Sequence, residues 1–157
     1  MVVVGGGAAG YFAAITCAEA NPEARVTLYE TTAHPLSKVR VSGGGRCNLT
    51  NINASAAQFL SANPHFCKSA LQQYSQHDFI ALVRKHKIDF HEKSLGQLFC
   101  DISAQDIIDM LLREVNHAGV QFNMETEVSD IAYDDSGYHL TTSRGMAHAA
   151  SLVIATG

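Results

Sequence analysis

The chain has 157 residues, a formal net charge of −4, 46% hydrophobic and 17% charged side chains. That length suits one domain, the composition is that of a globular protein, and the acidic balance argues against a strongly basic nucleic-acid-binding face. No apolar stretch approaches the roughly 18 residues of a membrane span, and the first apolar run stops at Gly5, too soon for an export signal.

Val2-Val3-Val4 is a short β-branched apolar run and reads as a buried strand. Gly5-Gly6-Gly7-Ala8-Ala9-Gly10 follows, and then the Ala-rich run Tyr11 to Ala20, which reads as a helix stopped by Asn21-Pro22. Arg25 to Tyr29 reads as a second strand, closed by Glu30. Strand, glycine turn, helix, strand, acid is the order of a dinucleotide-binding βαβ unit. Gly5 permits the tight turn, Gly7 leaves room for a pyrophosphate, and Gly10 lets the helix lie close on the sheet. The helix N-terminus offers free N–H groups and partial positive charge to phosphates. Glu30 lies twenty residues beyond Gly10, where a carboxylate accepts the hydroxyls of an unphosphorylated ribose. The competing reading is a glycine-rich turn in another kind of α/β protein.

Lys38-Val39-Arg40-Val41 reads as short extended chain. Ser42-Gly43-Gly44-Gly45-Arg46-Cys47-Asn48 then exposes backbone N–H groups beside a hydroxyl, a guanidinium and an amide, a set suited to phosphate or to a carbonyl edge. A weak helix is expected over 54–62, another over 65–74, and a third capped by Ser75 with Asp78 in its first turn. Ile88 to Phe90 and Gln97 to Cys100 read as a hairpin. Ser103 caps a helix whose apolar stripe is Ile107, Ile108, Leu111, Leu112 and Val115, ended by Gly119. Val120 to Met124 reads as a strand, Tyr138–Thr142 and Met146–Ala149 as a hairpin, and Ser151 to Gly157 as a buried strand ending in small residues. The four cysteines form no CxxC pair and the eight histidines are scattered, so no metal site is expected. Without an export signal, reduced cytoplasmic thiols are expected. Cys47 reads as a small buried residue rather than a nucleophile.

GGGAAG at residues 5–10 with SGGGRCNLTN at 42–51 resembles the bacterial flavoproteins of the HI0933-like, or YhiN, type, described as NAD(P)/FAD-dependent oxidoreductases. Asn63 to Leu71 and His91 to Asp101 resemble the proteobacterial branch of that family. The resemblance implies an α/β fold: a Rossmann-like parallel sheet, a small antiparallel β unit near 133–150 and a mainly helical insert over 52–100, between a glycine-loop segment 1–51 and a continuation 101–157. It implies FAD, held by Gly5, Gly7, Ala9, Gly10, Glu30, Lys38, Ser42, Gly43, Gly44, Arg46, Cys47, Asn48, the Val128 backbone, Ala155, Thr156 and Gly157. Relatives carry Gly-Arg-Lys where this chain has Leu36-Ser37-Lys38. They run to more than twice this length, so the chain is expected to be an N-terminal part. The implied activity is flavin-dependent hydride transfer with NAD(P)H as reductant, on a small molecule or on uracil in ribosomal RNA. A non-catalytic FAD-binding remnant and an NAD-binding dehydrogenase are the alternatives. No catalytic acid is identified.

Overall fold

The computed structural model describes residues 1–157. In chain order the elements are β1 (Val2–Val4), α1 (Ala8–Ala20), β2 (Thr27–Tyr29), α2 (Ser37–Val41), β3 (Asn48–Asn51), α3 (Lys68–Gln73) and α4 (Gln76–Lys85). These are followed by β4 (Phe90–Glu92), β5 (Gln97–Cys100), α5 (Ala104–His117), β6 (Gln121–Asn123), β7 (Val128–Asp134), β8 (Gly137–Thr142), β9 (Gly145–Ala149) and β10 (Leu152–Ile154). A turn with left-handed Gly43 and Gly44 occupies Ser42–Gly45, and a 3₁₀ turn occupies Ala56–Gln58. The chain divides into two compact units, one of residues 1–39 and 111–157 and one of residues 40–110. The triple-glycine loop therefore groups with segment 52–100, and α5 begins in one unit and ends in the other.

The first unit is built on a four-stranded parallel sheet in the order β10-β1-β2-β6. Val2, Val3 and Val4 of β1 are all buried, and a strand covered on both faces reads as an unbroken apolar run. Helix α1 lies over β1, β2 and β10 and buries Tyr11, Ala14, Ile15 and Ala18. From β1 the chain proceeds outward to β2 and β6, then returns to the other side of β1 as β10. That reversal is a topological switch point, and a crevice opens there at the carboxyl ends of β1 and β10.

Strands β7, β8 and β9 form an antiparallel sheet in the same unit. It turns Leu140 and Ala149 onto Val2 and Val4, with Tyr29, Val128, Tyr138, Ala147 and Leu152 packed around them. The antiparallel unit is thus three strands starting at Val128, larger than the 133–150 hairpin expected.

The second unit holds a three-stranded antiparallel sheet, β3-β5-β4, and the helices α3 and α4. Ser75 caps α4 by accepting from the Asp78 N–H, while Asp78 accepts from the Ser75 N–H at 2.7 Å. Segment 54–62, expected as a helix, forms only the 3₁₀ turn. Ser55 and Gln58 cap each other there, and Phe59 and Leu60 stay exposed, so no burial of an apolar face extends the turn.

Candidate functional site

Residues from both ends of the chain meet at the carboxyl end of β1. The Ala155 N–H donates to the Val4 carbonyl at 2.8 Å and carries β10 into Ala155-Thr156-Gly157, directly over Gly5. Gly5 has φ +112°, and a Cβ there would stand 2.4 Å from the Ala155 carbonyl oxygen, so no other residue fits. At Gly10, inside α1, a Cβ would lie 1.9 Å from the Gly5 carbonyl oxygen. These two glycines let helix, strand and C-terminal turn close on one another.

Gly7 differs from both. It is the residue before α1, extended at φ −82° and ψ 178°, and a Cβ built on it would meet nothing within 4 Å. No side chain caps α1 and no acidic residue stands in its first turn, so the first-turn N–H groups lack an internal acceptor. They border a cleft of about 340 Å³ lined by the glycine turn, Ala8, Ala9, Glu30, His34, Leu36 to Val39 and Ala155 to Gly157.

Glu30 lines that cleft. Its Oε2 accepts the Gly6 N–H at 2.6 Å, and its Oε1 accepts the Thr32 N–H at 2.8 Å and the Thr32 hydroxyl at 2.7 Å. Burial pushes its carboxyl up, but the Thr32 hydroxyl, the Thr32 N–H and the Gly6 N–H together outweigh burial and hold it below the usual carboxylate range. It is thus ionised and held by three hydrogen bonds, which leave one acceptor position open, on Oε2. Lys38 on α2 supplies the opposite charge, its Nζ 3.3 Å from where a Gly157 Cβ would lie. The cleft therefore offers bare N–H donors and an ammonium to an anion, and a fixed carboxylate to hydroxyls.

The segment leading into it departs from expectation. Ser37–Val41 is helical, not extended. Its four-residue alternation was too short to discriminate, and the helix runs directly into the glycine turn at Ser42. Leu36 is 2% exposed with φ +59°, left-handed backbone that favours glycine. Its N–H donates to the Gly6 carbonyl at 2.9 Å, which pins the loop under the glycine turn. Gly6 and Thr32 were not singled out from sequence, and Leu36 only as a departure from the family pattern. The signal for Gly6 was present in the run of three glycines, whereas those for Thr32 and Leu36 depend on tertiary contacts.

Of the other expected site residues, Val128 does not line this cleft and packs on the Val2–Leu140 cluster. Ser42, Gly43, Gly44, Arg46, Cys47 and Asn48 belong to the 40–110 unit. There Gly43, Gly44 and Gly45 are all left-handed, and a Cβ on Gly43 would lie 2.7 Å from the Phe99 ring. Arg46 accepts the Cys100 N–H with its carbonyl at 2.9 Å, and Asn48 pairs with Phe99 across β3 and β5. Cys47 is 6% exposed and burial pushes its thiol up, which suits a packed residue and not a nucleophile. Arg40 is occupied by a hydrogen bond to Gln105. No group of three or more His, Cys, Asp or Glu side chains is placed to hold a metal ion, and no helix is long and apolar enough to cross a membrane.

Comparison with known proteins agrees with this fold. The family model described as the HI0933-like protein Rossmann domain matches residues 1–157. A ribosomal RNA dihydrouridine synthase of Escherichia coli K12 is 47% identical over 156 residues, covering 99% of this chain and 38% of that protein. The protein of the same name from Haemophilus influenzae is 43% identical over 130 residues, covering 83% of this chain and 32% of that protein. A 3-dehydro-bile acid delta(4,6)-reductase of Clostridium scindens is 25% identical over 157 residues, 99% of this chain and 38% of that one. The chain thus spans 38% or less of the length of these curated relatives. Among solved structures, glycine oxidase from Bacillus cereus superposes with a TM-score of 0.62 at 17% identity, covering 99% of this chain and 56% of that one. Escherichia coli quinol fumarate reductase FrdA does so with a TM-score of 0.62 at 19% identity, covering 99% of this chain and 32% of that one. At such identities these two structures speak to the fold alone.

Proposed function

The chain belongs to the HI0933-like family, and from that membership we propose that it is the FAD-holding part of an oxidoreductase that saturates a conjugated carbon–carbon double bond, with uracil in ribosomal RNA as substrate. The observation that carries the cofactor is the open space at Gly7, beside uncapped N–H groups in a cleft that Lys38 and Glu30 also line. In this reading Gly5, Gly7, Ala9 and Gly10 cradle the pyrophosphate, Lys38 neutralises its charge, and Glu30 accepts the adenosine ribose hydroxyls. A 2′-phosphate there would meet a like charge.

Two names carry the reaction class. Dihydrouridine is uridine with its ring double bond reduced, and a delta(4,6)-reductase likewise saturates ring double bonds. The identity of 47% against 25% favours the RNA base over the steroid. Such a reduction adds a hydride to one carbon and a proton to the other; the flavin, when bound, supplies the hydride, and NAD(P)H is the proposed reductant. Ser42 to Asn48 are proposed as a second cofactor-binding element, through the bare amides of the triple glycine and the Arg46 guanidinium.

Gly7→Val tests the cradle. Because φ is ordinary and the position open, the variant is expected to fold as the wild type does. Purified protein should have lost its flavin absorbance near about 450 nm, a band that also separates a flavoprotein from a nicotinamide-binding one. A Gly7→Val protein with stoichiometric flavin would sink the assignment.

A further inference from the structure

Acidic overall, the chain is not uniformly so. Residues 1–39 and 111–157 carry four Lys and Arg against nine Asp and Glu. Residues 40–110 carry seven against six, and four of the eight histidines. Within that unit the cations concentrate in Arg84-Lys85-His86-Lys87-Ile88-Asp89-Phe90-His91-Glu92-Lys93, from the last turn of α4 to the β4–β5 turn. Arg84, Lys87 and Lys93 are all exposed. We propose that this ten-residue basic stretch is the surface on which the protein docks ribosomal RNA, with Arg84, Lys87 and Lys93 contacting phosphates. The inference rests on the RNA-modifying reading given above and assigns it a surface.

Three observations fit an RNA partner. The first is arrangement: β4 is an edge strand of the β3-β5-β4 sheet, and the cations lie before and after it along the chain. The second is how the cations are held. The Arg84 guanidinium lies 5.7 Å from the centre of the Phe90 ring and the Lys93 ammonium 5.3 Å from that of Phe99. An aromatic face orients each cation without using up its N–H donors, which stay available to phosphate oxygens. The third concerns the opposing carboxylates. Asp101 is paired with His91 Nδ1 at 2.6 Å, and Glu92 accepts the Gly96 N–H at 2.9 Å. Of the acids in and beside the stretch, Asp89 alone has no such side-chain partner.

The test uses the full-length, flavin-loaded protein and unmodified transcribed ribosomal RNA, with fluorescence anisotropy followed against salt. Arg84→Glu/Lys87→Glu/Lys93→Glu should weaken binding at least about tenfold. It should also lower the slope of log K against log salt by about two to three, the loss expected for three phosphate contacts. Arg84→Gln/Lys87→Gln/Lys93→Gln, which adds no repulsion, should lose the same slope. Arg144→Glu, in the other unit, should change neither, and flavin content should be unaltered in all. Wild-type affinity and slope in both triple variants would overturn the docking surface while leaving the RNA-modifying reading intact. A wild-type protein that binds and modifies no ribosomal RNA would overturn both.

Discussion

Tyr11 stands immediately after Gly10 and is wholly buried, its ring 5.7 Å from that of Phe122. Its hydroxyl is buried without a hydrogen-bond partner. Burial, and then the charge of Glu30, push the phenol up to about 12, so it stays neutral at physiological pH. A buried hydroxyl that has given up water without replacement costs about 1–3 kcal/mol. Tyr11→Phe keeps the ring and should raise stability by about that amount, read as a higher urea midpoint at unchanged slope. A lower midpoint would mean that the hydroxyl holds an internal water.

Glu30 gives the opposite sign. Its carboxyl titrates lower in the folded protein than the usual value of about 4.3 in an unfolded chain. The ionised form therefore stabilises the fold at all pH above that value, and this contribution is lost as pH falls through the folded pKa. Glu30→Gln, of the same shape, should be less stable than wild type at neutral pH, with the difference closing below about pH 4. Parallel unfolding curves at both pH values check this; a gap that persists in acid would assign the loss to geometry and not to charge.

At the scale of elements, two helices end in the same way with different residues. After α5, Gly119 donates to the Asn116 carbonyl at 3.1 Å and Val120 to that of Val115 at 3.2 Å. After α4, Lys87 donates to the Arg84 carbonyl at 2.9 Å and Ile88 to that of Val83 at 3.3 Å. Both are Schellman caps, which need one left-handed residue, here Gly119 at φ +72° and Lys87 at φ +57°. The left-handed backbone costs a side-chain-bearing residue about 1–2 kcal/mol, partly offset in the comparison by the flexibility of glycine when unfolded. Lys87→Gly should therefore stabilise the protein by about 0.5–1 kcal/mol, measured by thermal or urea unfolding. No gain would show that the lysine stem repays its strain by packing. This cap also explains why the strand expected at Ile88 begins only at Phe90: Ile88 is still engaged in closing α4. Helices with a capping residue and a 3.6-residue apolar stripe, α4 and α5, were legible because their signals are local. What was not legible depended on partners distant in sequence. The short helix α2 is anchored through Leu36 to Gly6, and β7 joins a sheet whose register its own residues do not announce.

For the molecule as a whole, the legible part of the site was the part that backbone sterics dictate. Gly5 and Gly10 are required by approaches of 2.4 and 1.9 Å to carbonyl oxygens, so their spacing is fixed by packing and visible in sequence. Gly7 is the exception, since nothing in the protein requires it to be glycine. A position left bare without an internal reason is best explained by a ligand that uses the space, and this has a thermodynamic consequence. A ligand that binds only the folded state stabilises it by RT ln(1 + [L]/Kd), about 2.7 kcal/mol at a hundredfold excess over Kd and about 4.1 at a thousandfold. FAD titrated into apo-protein should raise the unfolding midpoint steadily with the logarithm of its concentration. Gly7→Val should give a flat response, because the cradle is filled while the fold persists. Lys38→Ala should give a parallel line displaced to higher concentration, because it removes a charge and not the cradle. A wild-type midpoint indifferent to FAD over that range would leave Gly7 bare for no reason, and with it would go the argument that the crevice beside β1 exists to receive a cofactor.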